Sequence, residues 1–189
     1  MANVHLLPDV DLTKRKYLLD TNFLFCIFAH ADLSTENITR QKKYLAFFEI
    51  AKKQKLQLFV TSFAISEYFN RVLRYHFGIW QKMDGNQGKD FKRDFRPSEA
   101  CDLVITALRD ELNEMKKICE FLDDSFSLYQ MSCYVPYLSA FDFNDSLFAH
   151  VSIQNDCVLV TEDRDFNAPV FNGLNILTAN DTMYRTRKN

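Results

Sequence analysis

"KYLLDTN", residues 16–22, carries three apolar side chains in a row and then Asp20, Thr21 and Asn22. The run lacks the alternation of a half-wet antiparallel strand and has the character of a strand buried on both faces of a parallel sheet. Two further segments share it, "LQLFVT" at 56–61 and "CVLVT" at 157–161, and each run ends on Thr or Asp-Thr. A fourth, "LNILT" at 174–178, follows the turn signal of Asn172 and Gly173 and reads as a late strand at the edge of the sheet.

Helical patterns fill the intervals. "NFLFCIFAH" follows the first run directly, and in "STENITRQKKYLAFFEIAKKQK" Ile38, Leu45 and Phe48 recur at helical spacing, with lysines in the last turns. After the second run, "FAISEYFNRVLRYHFGIW" puts Ile65, Phe69, Val72 and Leu73 on one face, with Thr61 or Ser62 as its N-cap. A long amphipathic pattern begins just after Pro97, and "NDSLFAHVSIQN" leads into the third run. Strands alternating with helices predict a three-layer α/β/α domain, a central parallel sheet flanked by helices. Residues 1–189 are expected as a single domain, with an extended helical insertion and a mobile loop at about 76–140.

The composition, 47% hydrophobic and 25% charged, is that of a globular chain. Every apolar run is too short to span a membrane and no signal-peptide core is visible, so a cytoplasmic location is expected. Cys26, Cys101, Cys119, Cys133 and Cys157 form an odd, scattered set without zinc spacing and read as reduced thiols. The net charge of −2 argues against a polyanion-binding surface all round. The four glycines form neither dinucleotide nor P-loop fingerprints.

In open α/β sheets ligands sit beyond the carboxyl ends of the strands. Four carboxylates qualify. Asp20 closes the first run, Glu67 lies about two turns into the next helix, Asp145 opens the helix before the third run, and Asp163 follows that run. Singly, each has a structural explanation as a cap, a first-turn acid, an Asx turn or a solvated face. Together, clustered carboxylates repel one another unless cations neutralise them, and an all-oxygen set selects Mg²⁺ or Mn²⁺. Such a site activates water for phosphodiester cleavage without a Ser, Cys or His nucleophile. A phosphatase with an aspartyl nucleophile would need a second Asp where Asn22 stands.

With "LLDTN", "VTSFAISE" and "NDSLFAHVSIQNDCVLVTEDRDF" in this order, the chain resembles the PIN-domain ribonucleases, including the VapC-type toxins. The resemblance implies that Asp20, Glu67, Asp145 and Asp163 are metal-binding, catalytic acids, the last two 18 positions apart. It also implies Mg²⁺- or Mn²⁺-dependent hydrolysis of RNA, with a cognate antitoxin protein as a further partner. The 78 positions between Glu67 and Asp145 exceed the interval in compact members. "TEDRDF" offers Glu162 and Asp165 beside Asp163, and Asp142 either joins the site or belongs to the approach to it. Asn22 and Thr161 either orient Asp20 or satisfy backbone at strand ends.

Candidate RNA contacts are Arg71 and Arg74, one and two turns beyond Glu67, and Lys89, Lys92, Arg93 and Arg96. The last four interleave with Phe91 and Phe95 in "KDFKRDFR", a composition suited to phosphate attraction and base stacking; a solvated loop with its Phe rings tucked inward is the competing reading. The basic tail "RTRKN", with Arg185, Arg187 and Lys188, is a further candidate. His76 and His150 read as packing histidines, and the 18 phenylalanines as a bulky core with a candidate homodimer face.

Overall fold

A computed structural model describes residues 2–7, 12, 15–29 and 35–185. The first strand, β1 (Asn3–Leu6), precedes β2 (Lys16–Leu19), which runs into helices α1 (Thr21–Phe28) and α2 (Thr35–Gln54). Next come β3 (Gln57–Thr61), α3 (Ser62–Gln81), α4 (Glu99–Ile118) and β4 (Glu120–Leu122). The chain then returns through the short α5 (Met131–Tyr134) and α6 (Phe143–Gln154) to β5 (Cys157–Val160), β6 (Asn175–Thr178) and α7 (Asp181–Arg185).

Six strands make one parallel sheet in the order β1-β6-β5-β2-β3-β4. The expected three-layer α/β/α architecture is therefore present: α1 packs on α2 and α3, α3 packs on α4 and β3, and α6 lies against β5. The apolar runs form the middle of the sheet because both faces are covered. Tyr17, Leu18, Leu19, Val60, Leu159 and Val160 are all buried. Phe23 of α1 anchors one helical layer, its ring edge-on to Tyr44 at 5.3 Å and to Phe47 at 5.9 Å. Truncating such a fully buried ring to Ala costs about 3–5 kcal/mol.

One sheet position differs from the expectation. "LNILT" forms an interior strand, because residues 3–6 add β1 outside it, with Asn3 opposite Asn175 and Leu6 opposite Thr178. The other edge is β4, paired to β3 from Phe59 opposite Glu120 to Thr61 opposite Leu122.

The insertion is also more built than a plain loop. Asp90 accepts hydrogen bonds from the Lys92 and Arg93 amides, both 2.8 Å, and caps a single π-helical turn over Phe91–Phe95. Phe91 and Phe95 are 5% and 1% exposed, packed on Phe77 and Trp80 of α3 and on Cys101 of α4. They are consequently not free to stack on bases, and of the two readings of this stretch the one with the rings tucked inward holds: burying two rings against Trp80 is the larger gain in a stretch with little other core. Of the basic tail, Arg185 ends α7, whereas Arg187 and Lys188 lie outside the described residues. Among the described residues, no helix is long and apolar enough to cross a membrane.

Candidate functional site

The sheet order reverses between β2 and β5, since the chain builds outward through β3 and β4 before crossing back. The crevice beyond the carboxyl ends of such a pair is where α/β sheets hold ligands. Asp20 and Thr161 terminate these two strands, and the Asp20 amide donates to the Val160 carbonyl at 3.2 Å, so the sheet itself fixes the first carboxylate.

Asp20 is only 4% exposed. Its Oδ2 accepts from Thr161 Oγ1 at 2.6 Å and from Asn22 Nδ2 at 3.3 Å. The other end of the Asn22 amide, Oδ1, accepts from Arg71, whose guanidinium also lies 4.4 Å over the Phe25 ring. Burial pushes the Asp20 carboxyl up to about 7; the Thr161 and Asn22 hydrogen bonds pull against that, and the charges of Glu67 and Asp163 add to it.

Asp145 reaches the same crevice from α6. Asp142 and Asp145 form a capping box, with the Asp145 amide donating to Asp142 Oδ1 at 2.9 Å and the Asp142 amide to Asp145 Oδ2 at 3.0 Å. The local sequence therefore sets the side chain's direction. Burial is the main force raising the Asp145 carboxyl to about 8; the Asp142 amide opposes it, and the charges of Asp142, Asp163 and Asp20 reinforce it.

Glu67 is half-buried, one turn into the helix beyond the Thr61 cap, which accepts from the Ala64 amide at 3.3 Å. Its Oε2 accepts from Thr21 Oγ1 at 3.1 Å and from Asn144 Nδ2 at 3.3 Å. Thr21 and Asn144 are partners the sequence reading did not single out, although Thr21 sits inside "LLDTN". Asp163 is half-buried too, its amide donating to Thr161 Oγ1 at 3.0 Å while its Oδ1 accepts from the Asp165 amide at 3.0 Å. Asp165 is exposed beyond that turn, and its carboxyl is pushed up by partial burial and by the charges of Asp163 and Asp142.

Four acids thus act on one another across one crevice. Among the described residues, none of Asp20, Glu67, Asp145 and Asp163 forms an ion pair with Lys or Arg. Nor do any three His, Cys, Asp or Glu groups stand together as a ready metal cage. The donor set, carboxylate oxygens with hydroxyl and amide groups behind them, fits a hard divalent ion.

Of the six candidate RNA-contacting cations, Arg71 alone joins the acids, through Asn22. Arg74 lies 4.1 Å over the Phe91 ring and Arg96 5.3 Å over it. Arg93 pairs with Asp94 at 2.9 Å, Lys89 donates to Asn86 at 2.8 Å, and Lys92 is exposed. His150 is buried with its Nε2 3.3 Å from the Ser125 carbonyl, a packing role, and burial lowers His76.

No family model matches the chain, and no curated protein matches it. Among solved structures it is similar to PAE2754 from Pyrobaculum aerophilum, whose crystal structure aligns over 98% of both chains at 16% identity with a TM-score of 0.45.

Proposed function

We propose that the chain is a Mg²⁺- or Mn²⁺-dependent endoribonuclease that hydrolyses phosphodiester bonds at the crevice between β2 and β5. One observation carries the reading: Asp20 and Asp145, 125 positions apart, are buried beside Glu67 and Asp163, and among the described residues none of the four pairs with Lys or Arg. Uncompensated buried charge is unfavourable, and a divalent ion is the simplest partner for an all-oxygen set.

When bound, Mg²⁺ or Mn²⁺ would acidify a water and stabilise charge on the phosphate oxygens. Asp20, Glu67, Asp145 and Asp163 would hold it. Thr161 and Asn22 donate to Asp20 Oδ2 and hold its carboxylate in place. Thr21 and Asn144 do the same for Glu67. Arg71, held by Asn22 at the rim, offers a positive charge to an incoming phosphate. The products would carry a 5′-phosphate and a 3′-hydroxyl. The resemblance to VapC-type toxins extends the proposal to a cognate antitoxin, encoded by a small neighbouring reading frame.

The test is cleavage of total RNA with Mn²⁺ and with EDTA, read by mapping new 5′ ends. Mn²⁺-dependent cuts that vanish in Asp20→Asn and Asp145→Asn are expected. Metal-independent cutting, or cutting retained in either purified variant, overturns the assignment; folded protein that binds Mn²⁺ and RNA without cutting would make it a binding module instead.

A further inference from the structure

With Phe91 and Phe95 buried, exposed rings lie elsewhere. Phe126 and Phe143 are 44% and 40% exposed and meet edge to face, centroids 6.3 Å apart. Beneath them Tyr129 is buried, stacked on Phe126 at 5.5 Å and tilted against Phe143 at 5.5 Å, with its hydroxyl hydrogen-bonded to Ser146 Oγ at 2.6 Å. The two rings are therefore held on a braced support, and little rotamer freedom remains to be lost on contact.

Their position ties them to the acids. Phe143 is the first residue of α6, between the capping residue Asp142 and Asn144, which donates to Glu67. Two positions on is Asp145. Arg71 meets the same cluster through α3, a different element, by way of Asn22 and Asp20. A cleft of about 630 Å³ opens beside Phe126, lined by Ser62 at the start of α3, by Leu122 at the end of β4 and by Asp123 and Asp124 beyond it. Those two acids make the ring side unfavourable for phosphate but not for an uncharged base. Arg71 is the positive charge offered to the strand's phosphates, and Phe126 and Phe143 offer ring faces to its bases.

We propose that Phe126 and Phe143 form a stacking platform for one or two unpaired bases of the RNA strand lying across the carboxylate cluster, an inference that rests on the ribonuclease reading. Every base has a π-face, so the platform grips single strands with little regard to sequence and excludes paired ones, whose faces are already stacked.

Binding is measured by fluorescence anisotropy in EDTA, with the full-length chain in the Asp20→Asn background so that no cleavage occurs. The probes are a labelled purine single strand and the same strand made abasic. Phe143→Ala and Phe126→Ala should each weaken binding about tenfold. Phe143→Tyr should retain affinity and Phe143→Leu should not, which separates ring stacking from mere apolar bulk. Abasic RNA should bind the background protein about tenfold more weakly, with no further loss in Phe143→Ala. Unchanged binding in folded Phe143→Ala, rescue by Leu, or indifference to base removal overturns the platform. If the parent chain still cuts RNA with Mn²⁺, the ribonuclease reading survives that result; absence of both cutting and binding removes both. Concentration-dependent self-association lost in Phe143→Ala, with RNA binding intact, would make the rings a protein interface and also overturns it.

Discussion

Asp20→Asn should separate the structural cost of the site from its chemistry. Burial raises the Asp20 carboxyl from 3.8 to about 7. The difference is about three units, and at roughly 1.36 kcal/mol per unit it corresponds to about 4 kcal/mol. Because the folded value lies above the unfolded one, folding takes up a proton in this window. The native state then loses stability as pH rises from about 4 through about 7. Asparagine cannot ionise, and its carbonyl oxygen can accept the bonds that Thr161 and Asn22 now give to Oδ2. The variant should therefore melt close to the parent near pH 4 and above it near pH 8 in EDTA, by about 8–16 °C at roughly 2–4 °C per kcal/mol. Adding Mn²⁺ should reverse the order, raising the parent's melting temperature and leaving the variant's in place. Scanning calorimetry across pH with and without Mn²⁺ reads both effects. Parallel melting curves at all pH values would refute the buried-charge argument, and equal Mn²⁺ stabilisation of both chains would refute Asp20 as a ligand.

Thr161→Val removes the 2.6 Å donor to Asp20 and should raise that carboxyl further. Mn²⁺ affinity near pH 7, measured by titration calorimetry, should fall about 10- to 100-fold, the usual effect of losing a group that orients a ligand. Asp142→Ala breaks the capping box of α6 and should cost about 1 kcal/mol, visible as a melting temperature lower by about 2–4 °C. Phe95→Ala empties the small aromatic core and should cost about 3–5 kcal/mol locally. Limited proteolysis should then cut within residues 82–98 while hydrogen-exchange protection of β2 and β5 stays at the parent level.

How much of this was legible in the sequence depended on whether a residue's partners lay nearby or far along the chain. Leu18, Val60 and Leu159 sit in runs that only a doubly covered sheet makes favourable, so the parallel architecture could be read directly. The edge strands could not. Glu120–Leu122 spans three residues and Asn3–Leu6 carries two polar ones, because an edge exposed on one side needs no continuous apolar run. β1 in turn hid the interior position of β6. Thr61 as a cap was readable because capping is local, and so was Asp142 as a member of the approach to α6. The bonds from Thr21 and Asn144 to Glu67 join residues 46 and 77 positions apart and leave no local trace. In "KDFKRDFR" the pattern of cations and rings was the same for a stacking surface as for a buried core, and Trp80 decided between them.

The sheet order also sets a timetable for synthesis. β2 is made early, yet one of its two neighbours, β5, follows only after residue 156, and Thr161 meets Asp20 across 141 positions. A growing chain can pair β2 with β3 and β3 with β4, but the other edge of β2 stays open until residues 157–160 have left the ribosome. Long-range parallel pairing is intrinsically slow, and an open apolar edge invites other chains. The same order delays the crevice itself. Asp145 and Asp163 arrive late, so a nascent chain that ends before residue 145 carries only Asp20 and Glu67, and the four acids meet only once β5 has taken its place beside β2.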